Sequence, residues 1–64
     1  MTLTLKQESS GCWSIYAGAE RLVDRESYAV ASRILEAYES PGSLWPSEAD
    51  EVAESIRRYL VEVA

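Results

Sequence analysis

Histidine is absent from this 64-residue chain, and cysteine occurs once, as Cys12. These two shortages exclude most of the chemistry open to a small protein. One cysteine allows no intramolecular disulfide, and without histidine it cannot build a zinc site. Nucleophilic catalysis needs a Ser or Cys with a base beside it, and no imidazole exists to be that base. Cys12 has no His or Lys close to it in sequence, so a structural thiol is the better reading. The three glycines are isolated from one another, so no glycine-rich loop cradles a phosphate. Carboxylates are plentiful, but they fall on a surface helix of a domain too small to enclose a deep pocket. Their spacing matches no Ca²⁺ or Mg²⁺ loop. The expectation is no catalytic residue, no metal and no cofactor.

A long apolar run is also missing. Met1 to Lys6 alternates polar and apolar residues, which fits neither a signal peptide nor a membrane span. A reducing, cytoplasmic setting is the default expectation. The net charge of −5 argues against direct binding to nucleic acid, where phosphates demand Lys and Arg.

What is present is enough for one folded domain over residues 1–64. The hydrophobic fraction is 47%, in the globular range. So short a chain buries only about 60% of the surface its unfolded form exposes.

Residues 2–8 alternate, with Leu3 and Leu5 on one face and Thr2, Thr4 and Lys6 on the other; this period of two predicts a half-buried strand. Ser9-Ser10-Gly11 predicts a turn. A second strand follows over 12–17, with Trp13, Ile15 and Ala17 on the core face and Cys12, Ser14 and Tyr16 opposite. After Gly18-Ala19, residues 20–23 are a candidate for a short third strand. Asp24 reads as the N-cap of a helix over 25–39, with Tyr28, Val30, Ala31, Ile34, Leu35 and Tyr38 on its apolar arc. Ser40-Pro41-Gly42-Ser43 stops it. Ser47-Glu48-Ala49-Asp50 then matches a capping box. The second helix, over 48–63, carries the stripe Ala49, Val52, Ala53, Ile56, Tyr59, Leu60 and Val63. The fold class is therefore α+β: a β-hairpin or short three-stranded antiparallel sheet followed by an antiparallel pair of helices.

Trp45 has two readings, a lid over the end of the core or an exposed contact residue of the type enriched in binding hot spots. Tyr16, on the solvent face of the sheet, is a second candidate contact.

The charge is unevenly placed. Residues 1–35 are neutral overall, whereas residues 36–64 hold seven acids and two arginines and carry the whole net charge. Glu48, Asp50 and Glu51 suit the first turn of a helix, and Glu54 can pair with Arg58 four residues on. Glu36 and Glu39 lie instead in a last turn, where the helix dipole disfavours anions. An antiparallel helix pair gathers Glu36, Glu39, Glu48, Asp50 and Glu51 at one pole beside Trp45, with Arg25, Arg57 and Arg58 toward the other end. Such a pole suits a basic target. The candidate partner-binding residues are Glu36, Glu39, Trp45, Glu48, Asp50, Glu51 and Glu54.

In size, charge and organisation the whole chain resembles the small acidic anti-CRISPR proteins encoded by phages. The resemblance implies a stoichiometric inhibitor in the host bacterial cytoplasm, a monomer or weak dimer. Its target would be a basic, DNA-recognising surface of a type I CRISPR effector. Acids spaced along a helix rising about 1.5 Å per residue imitate a row of phosphates, here in part because Arg57 and Arg58 interrupt the run. The competing class is a small homodimeric regulatory or adaptor module, such as an antitoxin, using the helix pair as its dimer surface.

Overall fold

The computed structural model describes residues 2–42 and 44–63. Three strands, β1 (Leu3–Ser9), β2 (Cys12–Ala17) and β3 (Glu20–Glu26), precede two helices, α1 (Tyr28–Glu39) and α2 (Glu48–Val63). The strands form one antiparallel sheet in the order β1-β2-β3. The third strand, left open by the sequence, is therefore present and longer than 20–23. Ser43, part of the expected helix stop, lies outside the described residues.

The alternation in β1 and β2 does what it predicts. Leu3 pairs with Ala17 and Leu5 with Ile15 on the face beneath the helices, and Thr4 pairs with Tyr16 on the open face. Gly18 makes the β2–β3 turn at φ 65°, a conformation that glycine adopts without penalty.

β3 departs from regular pairing twice. Ile15 opposes Val23 while Tyr16 opposes Arg21, so Leu22 is an extra residue. A second shift lies between Trp13, opposite Glu26, and Ile15. The first bulge lets neighbours Leu22 and Val23 both pack on the core. The second puts Arg25 at φ 51°, a left-handed conformation uncommon for a residue with a Cβ. Its freed backbone N–H donates to the Ser14 hydroxyl at 3.1 Å. Ser14 is wholly buried at 0% exposure, although alternation places it on the open face. It remains on that face, opposite Lys6, where the bulged backbone at Arg25 and the Glu8 side chain both reach its hydroxyl.

Because β3 runs on to Glu26, Asp24 is a strand residue and does not cap α1. Ser27 caps it, its side chain accepting from the Val30 N–H at 3.3 Å. At α2 the expected box forms in a modified way. The Asp50 carboxylate accepts both the Ser47 N–H at 2.7 Å and the Ser47 hydroxyl at 2.9 Å.

The core joins Leu3, Ile15 and Val23 of the sheet to Ala31 and Ile34 of α1 and Ile56 and Leu60 of α2. Ala37 is buried too, which the apolar arc over α1 overlooks. Tyr28 and Val30 are exposed, Tyr28 with its ring edge-on to Trp13 at 5.1 Å. Val63, expected in the stripe of α2, is 55% exposed. The molecule measures 32 × 29 × 14 Å, the thickness of one sheet and one layer of helix.

Candidate functional site

The seven candidate residues divide according to what holds them. Asp50 is committed to the fold: it takes the Ser47 donors and lies 3.5 Å from the Arg33 guanidinium. The Ser47 backbone N–H, then its hydroxyl, and more weakly Arg33 hold its carboxyl below the usual aspartate range. A depressed folded-state value gives stability above the unfolded pKa. That contribution is lost as pH falls through the folded one. Glu54 is likewise engaged, by Arg57 and by Arg58 at 3.9 Å.

Arg57 does not fall toward the far end. Its guanidinium donates to the carbonyls of Tyr38 at 3.0 Å and Ala37 at 3.5 Å, closing the last turn of α1 from α2. It also stands 5.3 Å from the centre of the Tyr38 ring. No basic residue occupies the last turn of α1 itself. The cation missing there is supplied from the second helix, which offsets the unfavourable placement of Glu36 and Glu39 beside the negative end of the dipole.

Among the described residues, no ion pair engages Glu36, Glu39, Glu48 or Glu51. All four are exposed. Asp50, Glu51 and Glu54 share a shallow surface with Pro46 and Arg58. Glu48 sits on another face of α2, with Glu26 and Arg33. The expected single acidic pole is thus split by the turn of α2 and threaded by three arginines. Trp45 is 86% exposed and Leu44 89%, so Trp45 is not a lid over the end of the core.

The open face of the sheet carries a second polar cluster. The Tyr16 hydroxyl donates to Glu8, and Lys6 and Arg21 approach the Tyr16 ring at 5.4 and 5.9 Å. Arg21 in turn meets Asp24 at 2.6 Å. The hydrogen bond lowers the Glu8 pKa and raises that of Tyr16. Opposite charges are matched within the cluster.

Sequence reasoning missed a groove between β3, α1 and α2. It measures about 660 Å³ and is lined by Leu22, Val23, Ala29, Val30, Ala49 and Val52. The adjacent apolar pairs Leu22-Val23 and Ala29-Val30 are its only trace in the sequence.

Among the described residues, no group of three His, Cys, Asp or Glu side chains is placed to hold a metal ion, and no helix is long and apolar enough to cross a membrane. Comparison with protein families, with curated proteins and with solved structures returns no match.

Proposed function

We propose that this chain is a non-catalytic module that inhibits a partner by binding a basic protein surface. The observation that carries this reading is the exposed pair Leu44-Trp45, joined through Pro46 to the acidic surface of Asp50, Glu51 and Glu54. A large aromatic side chain bordered by acids has the chemistry of an interface anchor. Glu36, Glu39 and Glu51 contribute carboxylates that, among the described residues, no ion pair engages. In its finer form, the target is a DNA-recognising subunit of a type I CRISPR effector, in line with the anti-CRISPR resemblance. The engaged state of Asp50 and Glu54 makes the imitation of phosphates partial and gives Trp45 the larger share of the contact.

The test is competition for duplex DNA on purified type I effector complexes. Full-length protein at stoichiometric excess is expected to suppress DNA binding. Trp45→Ala is expected to weaken its affinity by at least about tenfold. Unchanged DNA binding removes the CRISPR target. Full retention of affinity by Trp45→Ala combined with Glu36→Gln, Glu39→Gln and Glu51→Gln removes this surface. A second reading, the small homodimeric regulatory module, is favoured by Val61, 73% exposed near the end of α2. A monomer in sedimentation supports the inhibitor; a tight dimer through α2 supports the module.

A further inference from the structure

The groove between β3, α1 and α2 has an apolar lining and an incompletely matched rim. Three charged residues border it: Glu26, Arg33 and Glu48. The cation among them is already engaged, because Arg33 lies 3.5 Å from Asp50. Among the described residues, no ion pair engages Glu26 or Glu48. The second bulge of β3 sets Glu26 opposite Trp13 and so brings it to this rim. Val30 stands 43% exposed in the wall, and Leu22 and Val52 are only partly buried.

We propose that this groove binds a basic amphipathic helix of another protein, apolar face inward, with lysines or arginines against Glu26 and Glu48. Charge selects this occupant. A second copy of the chain would bring another net charge of −5 to a rim whose unengaged groups are both acidic. Backbone geometry selects a helix over a strand. The two irregularities in β3 interrupt the regular ladder that an added strand needs. Helix-in-groove recognition uses side-chain contacts at i, i+3, i+4 and i+7, and the groove walls are side chains from three elements. This inference concerns a surface distinct from Trp45 and does not depend on the identity of the effector.

The probe is a peptide of about 18 residues, about 27 Å long as a helix, made of leucine and lysine with leucine at those spacings. Its control has the same composition with the leucines scattered. Each is titrated into ¹⁵N-labelled full-length protein and followed by amide chemical shifts. The patterned peptide is expected to move Leu22, Val30, Ala49 and Val52 and to bind more tightly than the scattered one. Val30→Lys, at an exposed wall position, is expected to weaken it about tenfold. Glu26→Gln with Glu48→Gln is expected to weaken it and to flatten its salt dependence. Thr4→Ala, on the open face of the sheet, is expected to leave affinity unchanged. Equal binding of the two peptides, shifts centred on Glu54, Ser55 and Arg58 on the other surface of α2, or no shift at all would overturn the proposal. So would a self-association that the peptide disrupts, because a second copy would then be the occupant. Failure here leaves the competition test on the effector unaffected.

Discussion

Removing the Ser14 hydroxyl tests the bulge that shapes β3. Ser14→Ala deletes the acceptor of the Arg25 N–H, a 3.1 Å bond at a residue with 0% exposure. A buried donor left without a partner costs about 1–3 kcal/mol, and the Arg25 N–H, on an exposed residue in a part-buried bond, belongs at the lower end. Alanine recovers part of the expense of burying a hydroxyl, so the lower part of that range, about 1–2 kcal/mol, is expected. Stability of about 0.05–0.15 kcal/mol per residue gives this chain roughly 3–10 kcal/mol in all. The loss is therefore a large fraction of the total. At about 4–8 °C per kcal/mol for small domains, Tm should fall by about 4–16 °C. Far-ultraviolet circular dichroism during thermal and urea unfolding measures it. Ser10→Ala, in the exposed first turn, serves as control and should stay within about 0.5 kcal/mol. If Ser14→Ala also stays within about 0.5 kcal/mol, the bulge does not rely on this hydroxyl and the account of Ser14 is wrong.

Two further outcomes are expected. Tyr16 should ionise above the ordinary tyrosine range, and Glu8→Gln should bring its midpoint down, as read by phenolate absorbance. A raised folded-state value gives stability that is present below the unfolded pKa and lost as pH rises through the folded one, so the alkaline limb of the unfolding curve should also flatten in Glu8→Gln. An unchanged Tyr16 midpoint would contradict the Tyr16–Glu8 bond. Arg57→Ala should cost about 1–2 kcal/mol in denaturant unfolding, from two carbonyl bonds and the Glu54 pair. Arg57→Lys should restore only part of this, because an ammonium lacks the planar fork that reaches two carbonyls, and full recovery would reduce the contact to simple charge.

The regular parts of this fold were legible in the sequence because their signals are local. The alternation at Leu3 and Leu5 and the pairing of Ser47 with Asp50 span a few residues, and the apolar stripe of α2 repeats every three or four. The irregular parts depend on contacts across the chain. Leu22-Val23 breaks alternation, which reads as the end of a strand, yet a bulge absorbs the break and β3 continues to Glu26. That continuation moves the helix cap from Asp24 to Ser27. Arg57 meets a carbonyl 19 residues earlier, a distance no helical wheel covers. For the candidate site, the acidic composition of residues 36–64 was readable, but not which acids the fold engages. Trp45 beside a proline looks the same in sequence whether it is covered or open.

The thinness of the molecule has a consequence for how it can change. Among the described residues, nine apolar side chains are buried, drawn from both layers of a body 14 Å across. Surface substitutions away from caps and special backbone positions usually shift stability by no more than about 0.5 kcal/mol. Outside those nine positions, the half-buried side chains packed on them, Ser14, Arg57, the positive-φ turns and the helix ends, the exposed positions are therefore open to extensive replacement with the shape intact. The exposed surface can be rewritten quickly, while the framework behind it demands little to persist.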